Sequence, residues 1–157
     1  MIATITTEHN TFSVNFTKPI DISLPLRNGE ANPNAFGIQE PVFTPFRAGS
    51  FIGSVAEGGA CNCENILFNP HGNGTHTECI GHITKERVTI NQTLKHFCAL
   101  AALVSLQPER LSNGDTVITE KQIRSAVKSL HTDVSALILR TLPNSPEKPF
   151  QRYSGTN

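Results

Sequence analysis

The sequence predicts a mixed α/β domain, rich in strands, and three observations carry that expectation. Residues Ile2 to Thr6 and Thr11 to Phe16 alternate apolar and polar side chains, the period of a half-buried strand. Residues Glu120 to Leu130 repeat apolar side chains at helical spacing, with Ile123, Ala126, Val127 and Leu130 on one stripe. That helix leads directly into a nearly continuous apolar run, Val134 to Thr141, which reads as a buried strand. A helix feeding a buried strand is the signature of α/β layering.

Taken in order, the Glu8-His9-Asn10 tract turns the first two strands into a hairpin. Residues 27 to 50 carry Asn28, Gly29, Asn32, Pro33, Asn34, Gly37, Pro41, Pro45 and Gly49, and read as one long irregular loop. A loop of that length is usually functional or covered by a partner. Phe36, Phe43 and Phe46 either line a substrate pocket from it or pin it to the core. Phe51 to Ala56 and Cys61 to Phe68 read as strands around the Glu57-Gly58-Gly59 turn, and Arg87 to Ile90 as a further short strand. Residues 93 to 106 fit a helix by propensity and a buried strand by their continuous apolar run. Thr119 with Gln122 forms a capping box that starts the helix, and His131-Thr132-Asp133 ends it. Residues 142 to 157, rich in Pro, Asn, Ser and Gly, form an irregular tail. No internal repeat is present, and 157 residues suit one domain able to bury a core.

Composition narrows the function classes. Thirteen basic and thirteen acidic residues balance with no basic cluster, which argues against nucleic acid and anionic membranes as partners. The start, Met1 to Thr6, lacks the basic flank and long apolar stretch of a signal peptide, and the longest apolar run, Phe97 to Val104, falls far short of a bilayer span. A soluble, cytoplasmic protein is expected, with Cys61, Cys63, Cys79 and Cys98 reduced and buried in or near strands. Cys61-Asn62-Cys63 lacks the spacing of a structural zinc pair.

The chemistry concentrates in His71-Gly72-Asn73-Gly74-Thr75-His76-Thr77-Glu78-Cys79-Ile80-Gly81-His82. Its glycines and β-branched residues disfavour a helix, so a glycine-rich loop entering a short strand is expected. His76 and Glu78, two apart, leave one face of an extended segment. Imidazole and carboxylate together suit a divalent metal such as zinc or manganese. His71 reaches the same point if the Gly-Asn-Gly turn bends, and His82 follows close enough to carry a proton. His96 stands apart and reads as structural.

Gly74-Thr75-His76-Thr77-Glu78-Cys79-Ile80-Gly81-His82 resembles the signature of the cyclase family of metal-dependent hydrolases, which includes kynurenine formamidase and isatin hydrolase. That signature runs His-x-Gly-Thr-His-x-Asp-x-Pro-x-His; its first two histidines and its Asp bind metal, and its last His is the acid/base. His76 matches the second ligand histidine, Glu78 the Asp and His82 the last His. Three departures stand out. Glu78 lengthens the carboxylate by a methylene, Ile80 replaces the proline and loosens the turn before His82, and Gly72 occupies the first histidine's place. His71 is one residue out of register, so its ligand role rests on the bending of the loop. Upstream, Pro19-Ile20-Asp21-Ile22-Ser23-Leu24-Pro25-Leu26 resembles the family's Asp-Leu/Ile-Ser-x-Pro-Leu/Ile opening.

The resemblance covers about residues 18 to 141 and implies a swivelling β/β/α-type domain, with residues 93 to 106 forming a strand near 98–106. It implies a metal-activated water that attacks a formamide, cyclic amide or related small carbonyl, with His82 as acid/base, in an enzyme that assembles as a homo-oligomer. Family members continue beyond the point where this sequence stops and supply a further histidine and glutamate, so a truncated product, a split gene or a C-terminally shortened relative is expected. Two other classes stay open: a non-catalytic metal-binding or assembly domain with an incomplete site, and a plain scaffold whose histidines are only hydrogen-bonded. Ligand count separates them, since hydrolytic zinc takes three protein ligands and an open position.

Overall fold

The computed structural model describes residues 1–130 and 132–153. Strands and a few helices make up the chain, as expected of an α/β protein, and they divide between two compact units. Of the described residues, the first comprises Met1–Ile22 and the chain between Glu78 and Asn144; the second comprises Ser23–Thr77 and residues 145–153.

In the first unit, β1 (Ile2–Thr6) and β2 (Thr11–Asn15) pair antiparallel, with Ile2 opposite Asn15 and Thr6 opposite Thr11. The Thr7 N–H donates to the Asn10 carbonyl at 2.8 Å and closes the expected turn. Strand β7 (Ala101–Leu106) runs parallel to β10 (Ala136–Thr141), in register from Ala101–Ala136 to Leu106–Thr141. The run at 93–106 therefore contains a strand, as the family resemblance implies, but over Ala101–Leu106 and not from residue 98. Parallel pairing needs a crossover, and the chain between the two strands holds the hairpin β8 (Glu109–Arg110) with β9 (Thr116–Val117) and the helix α3 (Glu120–Val127). The β8–β9 turn at Asn113-Gly114 uses Gly114 at φ 97°.

The Thr119 hydroxyl accepts from the Gln122 N–H at 3.3 Å while the Gln122 side chain accepts from the Thr119 N–H at 2.9 Å, the expected capping box. Helix α3 ends at Val127, three residues short of the expected Leu130; of the expected stop signal, His131 lies outside the described residues. Residues 87 to 90 do not form the expected strand. A second capping box, Thr89 with Gln92, instead starts the single helical turn α2 (Ile90–Thr93), its side-chain bonds overriding the β-branched Val88-Thr89-Ile90 run.

In the second unit, the expected long loop contains β3 (Val42–Pro45) and β4 (Arg47–Ala48). Strand β3 pairs with β6 (Glu64–Leu67) and β4 with β5 (Phe51–Ile52), all antiparallel. The expected strands 51–56 and 61–68 shrink to β5 and β6, because Ser54 opens a 3-10 turn at Val55–Glu57 that ends on Gly58 at φ 87°. Phe46 and Phe51 pack with ring centroids 6.0 Å apart, whereas Phe36 is 81% exposed. Phe46 therefore pins the loop.

The interior of this unit is polar. Asn32 and Asn34 are fully buried. Asn32 accepts from the Arg27 N–H at 2.8 Å and donates to the Arg27 and Gly29 carbonyls; Asn34 donates to the Ile38 carbonyl at 2.8 Å. Asparagine serves here because it satisfies backbone donors and acceptors together, where an apolar side chain would strand them. The tail is tied to the same loop. Tyr153 N–H donates to the Asn34 carbonyl at 2.6 Å, and the Arg152 guanidinium meets Glu40 at 2.6 Å.

The expected apolar core is not formed among the described residues: no hydrophobic side chain there is buried. The thiols follow suit: Cys61, Cys63 and Cys98 are exposed and Cys79 half-buried, contrary to the expected burial. No helix among the described residues is long and apolar enough to cross a membrane.

Candidate metal centre

The histidine stretch is not a loop running into a strand. It opens with the single helical turn α1 (Pro70–Asn73), extends through Gly74, and closes with a 3-10 turn at Ile80–His82. The boundary between the two units falls after Thr77, so the stretch gives one pair of candidate residues to each unit.

His71 and His76 belong to the second unit. Pro70 at the first helical position has no N–H to strand, and the Asn69 side chain accepts from the His71 N–H at 3.0 Å. Within the turn, Gly72 and Asn73 are buried while His71 is exposed. The sequence signature expects its first histidine at position 72, and packing explains why glycine stands there. A β-carbon on Gly72 would lie 2.1 Å from Ile38 Cδ1 and 2.8 Å from the Ala35 carbonyl oxygen. No histidine fits. His71, one position earlier, faces outward, and its ring meets that of His76 edge-on, centroids 4.9 Å apart and planes at 78°. Within the second unit the Gly72-Asn73-Gly74 segment leaves the His71 ring beside that of His76.

His76 Nδ1 lies 2.9 Å from the Gly74 carbonyl oxygen. A carbonyl only accepts, so this bond requires a protonated Nδ1 and leaves the lone pair on Nε2, the nitrogen a metal would take. Thr75 between them accepts at its hydroxyl from the Leu24 N–H at 2.9 Å, joining the two motifs of the family resemblance.

Glu78 and His82 belong to the first unit. His82 Nδ1 sits 3.8 Å from Glu78 Oε1, too long for a hydrogen bond and short enough for an ionic contact when the imidazole is protonated. The turn carrying His82 is firm despite Ile80. Gly81 lies so close to Val88 that a β-carbon would fall 2.0 Å from the Val88 carbonyl oxygen, and the Cys79 thiol donates to that same oxygen at 3.3 Å. Close backbone packing against residue 88 replaces the stiffness expected of proline. His71, Glu78 and His82 are all exposed, and His96 lies outside both pairs.

No curated protein and no solved structure matches the chain significantly. The model of the family Cyclase, described as "Putative cyclase", matches residues 20–155 and so spans the Leu24 motif and the whole histidine stretch. The chain belongs to the cyclase family.

Proposed function

We propose that the chain is a metal-dependent hydrolase of small amides or cyclic amides, with His71, His76 and Glu78 holding one divalent cation and His82 moving the proton. The observation that carries this reading is the edge-on pairing of His71 with His76, which supplies the second imidazole that the signature lacks at position 72. Imidazole nitrogen with one carboxylate oxygen is a donor set that zinc and manganese both accept. A cation held there supplies Lewis acidity to a carbonyl and lowers the pKa of a water.

The chain's own residues do the rest. His76, its Nδ1 committed to Gly74, offers Nε2; Glu78 brings the negative charge that balances a cation; both imidazoles are reachable from solvent. His82, with its Nδ1 3.8 Å from Glu78 Oε1, accepts a proton from the attacking water and returns it to the leaving nitrogen. A small formamide or cyclic amide of the arylformamidase kind is the substrate class.

We extend the proposal to assembly. Leu103, Leu137, Ile138 and Leu139 of the two-stranded parallel sheet are between 37% and 57% exposed. Parallel sheets are normally covered on both faces, so association between copies of one swivelling β/β/α-type domain, residues 1–157, is what would cover them. Elemental analysis beside solution mass tests both parts. About one zinc or manganese per chain is expected, lost in His76→Ala and in Glu78→Ala with folding retained. Metal-free protein after incubation with either ion, or unchanged content in both variants, refutes the centre.

A further inference from the structure

We infer that Asn69 and Asn73 are positioning residues that aim His71. The inference rests on the proposed centre only for its metal-binding consequence. A helix of four residues does not hold itself, because nucleating a turn fixes several dihedrals for one hydrogen bond. The turn Pro70–Asn73 is held by a clasp of two asparagine side chains on the backbone of residues 69 and 71. Asn69 Oδ1 accepts from the His71 N–H at 3.0 Å, and Asn73 Oδ1 accepts from the Asn69 N–H at 3.1 Å. Between them, the Asn73 N–H donates to the Asn69 carbonyl at 2.9 Å. Asn69 thus caps the His71 N–H, and Asn73 reaches back to hold the backbone of Asn69.

The opposite side is fixed as well. The Gly72 carbonyl accepts from the Ala35 N–H at 3.0 Å, and Gly72 abuts Ile38. With Gly72 and Asn73 buried and Pro70 half-buried, His71 is the one side chain of the turn that points out, toward His76. Asn73 is 1% exposed and its Nδ2 has no hydrogen-bond partner. A buried unmet donor is unfavourable, and an alanine or leucine would remove it. Asparagine remains useful there only through Oδ1, the acceptor for Asn69. The clasp therefore orients His71 as the groups behind metal-binding histidines do, by fixing where the ring projects.

The test compares Asn69→Ala, which deletes the acceptor, with Asn69→Ser and Asn69→Asp, which restore a capping oxygen. Two readouts are taken on the full chain: the NMR cross-peak between the His71 and His76 ring protons in metal-free protein, and the zinc Kd by chelator competition. Asn69→Ala is expected to lose the cross-peak and weaken zinc by about tenfold or more, while Asn69→Ser and Asn69→Asp keep the cross-peak and near-native affinity. An unchanged cross-peak in Asn69→Ala overturns the inference, as does a serine or aspartate variant as damaged as the alanine. Asn73→Ala is expected to match Asn69→Ala; should it fail to fold, the Asn69 series decides. Wild-type protein that takes up no zinc sinks the metal reading alone, and the ring cross-peak still judges the clasp.

Discussion

The Leu24 N–H donates to the Thr75 hydroxyl across 2.9 Å, and this bond ties the Asp-Ile-Ser-Leu-Pro-Leu segment to the Gly-Thr-His segment 51 residues later. Leu24 sits between Ser23 and Pro25, in chain without regular pairing, so its N–H has no strand neighbour to serve. The threonine hydroxyl serves it. The position next to His76 is thereby anchored from outside the histidine stretch, and the two motifs of the family resemblance become one structural feature.

Thr75→Val should cost about 0.5–1.5 kcal/mol of stability, the usual net worth of one hydrogen bond, and should weaken metal uptake by loosening the chain beside His76. Thr75→Ser keeps the oxygen and should keep both properties. Chemical denaturation with zinc titration on the two variants separates the hydroxyl from the methyl group; valine and serine variants of equal affinity would show that the bond does nothing for the site.

Restoring the signature's histidine should fail. Gly72→His forces a side chain into Ile38 and the Ala35 carbonyl, an overpacking that costs about 1–3 kcal/mol or more. The double variant Gly72→His with His71→Gly should therefore bind metal worse than the native chain, even though it matches the family signature better. Improved zinc affinity in that double variant would show that the buried glycine is not what moved the histidine.

Legibility from sequence followed the range of the interactions. The capping box at Thr119 and Gln122, the Glu8-His9-Asn10 turn and the strand at 101–106 depend on neighbours in the chain or on a family pattern, and all are present. Strand β3 is bounded by Pro41 and ends on Pro45, residues that read as loop; it exists because β6, some twenty residues on, pairs with it. The Thr89–Gln92 box and the Asn113-Gly114 turn carry recognisable local signals, and a reading for those signals finds α2 and the β8–β9 hairpin. His71, His76, Glu78 and His82 were legible as candidates from residue type, spacing and the family resemblance. The reason His71 stands one place early was not, because it lies in the Ile38 side chain, 34 positions before Gly72. The roles of Asn69 and Asn73 were not legible for a similar reason: only the folded turn shows that Asn69 caps His71 while Asn73 holds Asn69.

His82→Ala should retain metal and abolish hydrolysis, while Gly81→Ala should damage both fold and rate. An added methyl at 81 meets the Val88 carbonyl oxygen at 2.0 Å, a clash with rigid backbone, so the 3-10 turn must open and His82 must shift. A single-turnover assay on a formamide substrate, run beside thermal unfolding, checks the pair. A fully active His82→Ala protein would remove His82 from the acid/base role.

The N-terminal hairpin should depend on one carboxylate. Asp133 Oδ2 accepts from the Thr7 hydroxyl at 2.6 Å and from Asn10 Nδ2 at 3.1 Å, and its side chain is only 5% exposed. His9 Nε2 lies 4.0 Å from the other oxygen. Asp133 thus joins the β1–β2 turn to the segment entering β10, beside a cavity of about 290 Å³ lined by Ile5, Phe12, Val14 and Leu100. An isolated two-stranded hairpin is marginal in water, so its protection must come from such an anchor. Asp133→Ala removes the acceptor of both bonds and should cost about 1–3 kcal/mol, with the amides of Ala3, Ile5, Phe12 and Val14 exchanging faster while those of β7 and β10 hold. Asp133→Asn keeps one oxygen in place and should lose less. Native-state hydrogen exchange reads each amide separately; hairpin protection unchanged in Asp133→Ala would mean that apolar contact across the cavity, not the carboxylate, holds the hairpin.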